Sequence, residues 1–196
     1  MKELVHSWRS RSVEALPGSD LPELQDLAQR LVTELGHAGL MVAVAESCSA
    51  GALANCLSKA EGAGDVLIGG LVTYMAIAKT GLLSVPADLI ESHSAVSRPV
   101  VRAMASGVLA STPADLALAL TGVTGPVADE RGNPRGRVYI AAVMKGGVGI
   151  DCHCEFGAFP PAVLLDAALR TALALGTDLL KQHSGGNPVV VRKLAS

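Results

Sequence analysis

Short apolar runs of strand length alternate along this chain with segments of helical periodicity. The runs at residues 41–45, 66–74 and 116–121 are the clearest strand candidates. Between such runs, apolar side chains recur every three or four residues, the pattern of a helix with one buried face. This alternation is typical of proteins in which helices cover both faces of a largely parallel sheet. We therefore predict an α/β fold with three αβα layers and a mixed, mostly parallel sheet flanked by helices.

The second half of the chain adds an antiparallel pair to this sheet. Residues 137–144 and 150–156 have strand patterns and are joined through Gly146 and Gly147, which predicts a hairpin. Residues 122–136 contain a Gly-Pro and an Asn-Pro breaker and are predicted to form a loop. Helices are predicted at residues 20–35, 51–57, 76–83, 86–93, 97–109 and 161–182.

A chain of 196 residues is long enough for one domain with a substantial core, and we assign that domain to residues 20–183. Asp20 is the expected N-cap of its first helix, with Glu23 three residues later. Residues 1–19 mix charges with a Pro-Gly-Ser sequence and are predicted to be a tail or a short leading helix. Residues 184–196 are predicted to be a C-terminal tail, in which residues 188–191 offer a docking strand to a neighbouring copy.

Charge and composition argue against several classes of partner. The net charge is −2 and only 3% of residues are aromatic, so neither a basic surface nor stacking platforms for nucleic acid are expected. No signal segment or membrane span is visible, and the four cysteines are too few for a disulfide framework. We expect a cytoplasmic protein with reduced thiols that binds neither nucleic acid nor membranes.

Polar residues follow three of the predicted strands, where ligands of open α/β sheets bind. They lie at residues 46–49, 73–74 and 121–126. Free backbone amides at the start of the helix after Ser49 would favour an anion or a developing oxyanion, although a simple serine N-cap is an equally good interpretation. Lys79 lies among apolar neighbours, where burial would make it a neutral base; a solvated lysine is the ordinary alternative.

Other candidate sites are weaker. Cys152, His153 and Cys154 place two thiols on one strand face, but no second ligand pair at zinc-like spacing accompanies them, so no metal site is predicted. His93 lies between two serines, yet the chain has no Gly-x-Ser-x-Gly sequence for a serine–histidine hydrolase.

Five ordered sequence blocks together resemble the CinA C-terminal domain family, from about residue 21 to residue 180. The blocks lie at residues 45–51, 72–79, 81–86, 94–97 and 120–126. The resemblance implies a nicotinamide-nucleotide amidase, which hydrolyses the carboxamide of nicotinamide mononucleotide to nicotinate mononucleotide and ammonia in pyridine-nucleotide salvage. It also implies a homo-oligomer, with a dimer favoured, and chemistry that needs no metal or other cofactor.

The resemblance assigns roles to individual residues. It places the nucleophile at Ser47, the general base at Lys79, and a proton-relay or orienting group at Tyr74. A neutral lysine can supply the base that a serine hydroxyl needs to attack an amide. The expected substrate-binding residues form the turn after the first strand and the loop after the third: Glu46, Cys48, Ser49, Ala50, Gly51, Thr121, Gly122, Val123, Thr124, Gly125 and Pro126.

The chain departs from the family pattern on the ligand side. Ala76 and Ile77 replace an Asn-Glu pair before the lysine, and residues 123–130 replace a glycine-rich loop. The family's arginine near the last helix is absent from residues 156–160. A non-catalytic nucleotide-binding or accessory paralogue is therefore the principal alternative, followed by an esterase or peptidase with an open cleft.

Overall fold

The computed structural model describes residues 5–16 and 22–183. The strands are β1 Val5–Val13, β2 Val42–Glu46, β3 Leu67–Val72, β4 Leu116–Gly122, β5 Arg137–Met144 and β6 Gly147–Glu155. They form one sheet of order β1-β6-β5-β4-β2-β3. The strand β5 runs against the others: it pairs antiparallel with β4 and β6, whereas β1/β6, β2/β3 and β2/β4 pair in parallel. The predicted mixed, mostly parallel sheet and its hairpin are confirmed.

Helices cover both faces of the sheet, so the predicted three-layer αβα architecture is also confirmed. The helices are α1 Leu24–Ala38, α2 Ala52–Ser58, α3 Ala63–Val66, α4 Ala76–Leu83, α5 Ala87–His93, α6 Arg98–Ser111 and α7 Pro161–His183. One face packs against α1, α2 and α7, and the other against α4 and α6, with α5 beside α6. Within the described residues no helix is long and apolar enough to cross a membrane.

The two faces of the sheet have different side chains, which explains how so few aromatic residues build a core. Toward α1 and α7 the central strands present valine, leucine and isoleucine. Toward α6 they present mainly alanine, which lets that helix lie close to the sheet. Gly107 continues this close packing, because a Cβ there would lie 2.0 Å from the backbone oxygen of Leu83 at the end of α4. The helix that supplies the candidate base is thereby held against α6.

The prediction of a tail or short helix over residues 1–19 is wrong for Val5–Val13, which form β1 and pair in parallel with β6. The mixed charges gave no strand pattern, because the polar side chains of β1 bond to groups from elements distant in sequence. Arg11 pairs with the buried Asp178 of α7 at 2.9 Å. On the opposite side, the Trp8 ring packs so closely over Gly149 that a Cβ there would lie 2.5 Å from it.

Some predicted boundaries also change. The first helix begins at Leu24 with Glu23 as its N-cap, four residues after the predicted start at Asp20, which lies outside the described residues. The helix ends at Ala38, three residues beyond the predicted end at 35, with a left-handed C-cap at Gly39 whose φ is 64°. The short helix α3 was not predicted, and β6 begins at Gly147, earlier than expected. The predicted C-terminal tail, with its docking strand at 188–191, lies outside the described residues.

Candidate active site

The carboxyl ends of β2, β3 and β4 meet at one edge of the sheet and position Ser47. This serine follows β2 directly, and its N–H donates to the Leu120 oxygen of β4 at 3.1 Å. On the other side, the Thr73 N–H donates to the Glu46 oxygen at 2.7 Å. The predicted convergence of the three strand ends is therefore present. Ser47 is buried at the junction.

Lys79 reaches this junction from α4 and contacts the hydroxyl of Ser47. Its Nζ lies 2.9 Å from Ser47 Oγ, 2.6 Å from the Thr73 oxygen and 3.1 Å from the Tyr74 oxygen. The side chain is only 1% exposed. No carboxylate of a described residue bonds to this ammonium group.

Burial without a carboxylate favours the neutral amine. Desolvation lowers the pKa of Lys79 from 10.5 to about 8. A neutral amine has two N–H donors and one lone pair. If the carbonyls of Thr73 and Tyr74 accept the two hydrogen bonds, the lone pair faces Ser47 Oγ, from which it can accept a proton. The two carbonyls therefore orient the amine as well as bind it. Sequence reasoning missed this role of Thr73, because a backbone carbonyl is present in every residue and has no sequence signal.

Glu46 has a different role from the predicted one. Its buried carboxylate accepts hydrogen bonds from the N–H groups of Gly51, Leu53 and Ala54 at 2.8–3.0 Å and from Ser49 Oγ at 2.6 Å. The prediction of free amides at the start of α2 is therefore wrong, because the protein's own carboxylate occupies them. Glu46 and Ser49 fix the turn that carries Ser47, and their contacts here are with the protein.

Two backbone donors of the turn remain available for a substrate oxygen. The Ser49 N–H donates to no described residue and the Cys48 N–H contacts only its own thiol, whereas the Ala50 N–H donates to the Ser47 oxygen at 3.1 Å. They are the candidate oxyanion donors next to the nucleophile. Burial raises the pKa of the Cys48 thiol to about 12, so this neighbour stays protonated and does not compete as a nucleophile.

The predicted loop after β4 lies beside this turn. The Thr124 hydroxyl donates to the Cys48 oxygen at 3.3 Å, which ties the loop to the nucleophile. The Thr121 hydroxyl donates to the Ala95 oxygen at 2.9 Å. Gly122 permits the close approach of β5, since a Cβ there would lie 2.7 Å from the Arg137 oxygen. Val123 is buried, Gly125 is half-buried and Pro126 is exposed. The structure therefore brings this group of residues to the expected end of the sheet.

Tyr74 is not brought to the pair. Its side chain is 69% exposed, and its hydroxyl makes no hydrogen bond to a described residue. Only its backbone oxygen contacts Lys79. The predicted relay therefore lacks the hydrogen bond it requires. The next side chains on this surface, Met75 and Ile77, are likewise exposed, at 68% and 76%.

The weaker candidates form no comparable site. The thiols of Cys152 and Cys154 are buried 3.7 Å apart, and His153 stacks on Tyr139. Among residues 5–16 and 22–183, no three His, Cys, Asp or Glu side chains are grouped so that they could hold a metal ion. His93 is exposed at the end of α5 and bonds to no described side chain.

Known structures share this fold. The competence/damage inducible protein CihA from Agrobacterium tumefaciens is 34% identical, with a TM-score of 0.75 over 80% of this chain and 95% of that one. A competence-damaged protein (CinA) superfamily protein from Escherichia coli is 33% identical, with a TM-score of 0.77 over 83% of this chain and 93% of that one.

Sequence comparisons agree with the structural ones. A CinA-like protein from Citrifermentans bemidjiense is 40% identical over 77% of this chain, and a putative competence-damage inducible protein from Caldicellulosiruptor bescii is 36% identical over 76%. The chain spans about a third of the length of these relatives, 36% and 35% respectively. The family model of the CinA C-terminal domain matches residues 24–180. With the motifs, the fold and these relatives in agreement, the chain belongs to the CinA C-terminal domain family.

Proposed function

We propose that this protein is a metal-independent serine amidase that hydrolyses the carboxamide of nicotinamide mononucleotide to nicotinate mononucleotide and ammonia. The observation that carries the proposal is the 2.9 Å contact between Lys79 Nζ and Ser47 Oγ at a buried junction of three strands. The choice of substrate rests on the family resemblance of the sequence blocks. The proposed reaction belongs to pyridine-nucleotide salvage, and we place it in the cytoplasm. The four cysteines are free, which is consistent with a reducing compartment.

The first half of the reaction acylates Ser47. Neutral Lys79 accepts the hydroxyl proton as Oγ bonds to the carboxamide carbon, and the carbonyl electron pair moves onto oxygen. The resulting oxyanion accepts hydrogen bonds from the Cys48 and Ser49 N–H groups. The protonated Lys79 then gives its proton to the departing nitrogen, so that the C–N bond breaks and ammonia leaves. An ester between Ser47 and the nicotinoyl group remains.

The second half hydrolyses this ester. Lys79, neutral again, accepts a proton from water as the water oxygen attacks the ester carbon. Collapse of the second oxyanion breaks the bond to Ser47 Oγ, which recovers a proton from Lys79. Nicotinate mononucleotide is released and the starting state is restored. This route needs no proton transfer through the exposed Tyr74.

A second candidate is a non-catalytic nucleotide-binding protein with the same cleft. The exposed Tyr74, together with Ala76 and Ile77 before the base, favours this candidate, since none of these three side chains makes a polar contact with Ser47 or Lys79. It predicts that nicotinamide mononucleotide binds and no ammonia is released.

Ammonia release from nicotinamide mononucleotide separates the two candidates. We expect wild-type protein to release ammonia in the presence of a chelator, and Ser47→Ala to lose at least about 1,000-fold in kcat. Ser58→Ala is the matched control, because Ser58 is exposed and bonds only to the Asn55 oxygen. Equal rates in Ser47→Ala and wild type would refute the mechanism.

A further inference from the structure

We propose that Arg135 binds the phosphate of the nucleotide substrate from the loop beside Ser47. The inference rests on the proposed function for the identity of the ligand, and on the geometry of the loop for the identity of the residue.

Apart from the two N–H groups assigned to the oxyanion, the anion-binding groups near the nucleophile are already occupied. The carboxylate of Glu46 accepts the N–H groups at the start of α2, and its charge would repel a second anion there. Lys79 Nζ is buried against two carbonyls and Ser47 Oγ. The phosphate therefore needs a cation outside the turn and outside the catalytic pair.

Arg135 lies on the segment that returns from the site to β5. That segment is fixed next to the end of β4, because the Gly136 N–H donates to the Val123 oxygen at 2.8 Å. The neighbouring Thr124 bonds to Cys48, which adjoins Ser47. Arg135 is thus at the same end of the sheet as the nucleophile, one residue from a backbone bond to the predicted substrate loop.

The guanidinium of Arg135 has no partner among the described residues. Its Nε is buried without a hydrogen-bond acceptor there, and no hydrogen bond or ion pair joins its other nitrogens to residues 5–16 or 22–183. The arginines on either side are engaged: Arg131 donates to the Glu91 oxygen at 3.2 Å, and Arg137 pairs with Glu155 at 2.6 Å. A buried donor without an acceptor is unfavourable, and a bound phosphate would supply the acceptors that the planar guanidinium fits.

The backbone after Arg135 is held in one position. Gly136 has a φ of 88°, and a Cβ there would lie 2.0 Å from the Gly157 oxygen. Its own oxygen accepts the Phe156 N–H at 2.9 Å. Contact with the end of β6 therefore fixes the base of the arginine before any ligand arrives, which lowers the entropic cost of binding.

Binding to protein that cannot turn over tests this role separately from catalysis. Calorimetric titrations would use Ser47→Ala protein, with or without Arg135→Gln, and two probes: nicotinamide mononucleotide and nicotinamide riboside, which lacks the phosphate. We expect Arg135→Gln to weaken mononucleotide binding by about 10- to 100-fold and riboside binding by less than about 2-fold. Arg131→Gln makes the same charge change on the same loop and should alter neither affinity.

Each other outcome overturns the inference. Equal weakening of the binding of both probes would show that Arg135 has a structural role, and a lower melting temperature of Arg135→Gln would show the same. Unchanged affinity for the mononucleotide would exclude the contact, as would the absence of binding of either probe. The proposed function is judged separately, by ammonia release from wild type. If Arg135→Gln loses affinity only for the mononucleotide while wild type releases no ammonia, the role of Arg135 stands and the amidase proposal is refuted. If wild type releases ammonia while Arg135→Gln binds the mononucleotide normally, only the amidase proposal stands.

Discussion

At the scale of single residues, the proposed chemistry depends on a lysine that the fold buries with no carboxylate partner among the described residues. Ser47 and Lys79 were predictable as candidates, because the ordered sequence blocks include both and Ser47 follows a predicted strand. The exposure of the Tyr74 side chain could not be predicted, since its direction depends on the backbone between β3 and α4. Arg135 could not be singled out from the sequence either. No sequence pattern indicates that its Nε is buried without an acceptor among the described residues.

The lowered pKa of Lys79 predicts the pH dependence of the reaction. The base must be neutral, so kcat/KM should rise about tenfold per pH unit below pH 8 and level off above it, as the lysine loses its proton. Steady-state kinetics from pH 6 to pH 10 would check this profile. Lys79→Arg should abolish activity across the range, because a guanidinium remains protonated. A rate independent of pH between 6.5 and 8.5 would contradict the role of Lys79.

At the scale of elements, strands and helices with a continuous apolar pattern were predictable, whereas β1 was not. Its polar side chains bond to Asp151 of β6 and Asp178 of α7, and the local sequence cannot indicate these distant partners. The cap of α2 illustrates the same limit. Glu46 was predicted to bind substrate because it follows an apolar run. In the structure its carboxylate accepts hydrogen bonds from backbone N–H groups five to eight residues later in the chain.

Removing the charge at this cap should destabilise the turn that carries Ser47. In Glu46→Gln, one acceptor oxygen becomes a donor that faces backbone N–H groups, so we expect the free energy of unfolding to fall by about 1–3 kcal/mol. Urea unfolding followed by circular dichroism would measure the change. Glu61→Gln is the control, because the Glu61 side chain is exposed. Equal stability of the two variants would contradict the capping role.

At the scale of the whole molecule, the site and the edge strand β1 belong to different parts of one sheet. Asp151 of β6 connects β1 with α6: it accepts a hydrogen bond from the Ser10 hydroxyl of β1 at 3.2 Å and pairs with Arg98 at 2.7 Å and Arg102 at 2.5 Å. Its side chain is 1% exposed. The pairs β6/β5 and β5/β4 separate this cluster from the strands that position Ser47. The expected homo-oligomer stays a prediction.

This separation predicts a variant that loses stability and keeps activity. Asp151→Ala leaves two partly buried guanidinium groups without their acceptor, and we expect the free energy of unfolding to fall by about 1–3 kcal/mol. Asp166→Ala removes a half-exposed partner of Arg170 in α7 and should cost less than about 1 kcal/mol. Urea unfolding and ammonia release at 25 °C would be measured together. A large loss of kcat in Asp151→Ala, without loss of folded protein, would contradict the separation.

The most direct test of the Ser47–Lys79 mechanism is interception of the acyl-enzyme by hydroxylamine. Hydroxylamine attacks the ester in place of water, so the account predicts that wild-type protein converts nicotinamide mononucleotide into the corresponding hydroxamate at the expense of nicotinate mononucleotide. Chromatography of the products would quantify this partition, and Ser47→Ala should form neither product. Formation of the acid alone at every hydroxylamine concentration, with the same rate in Ser47→Ala, would contradict covalent catalysis by Ser47.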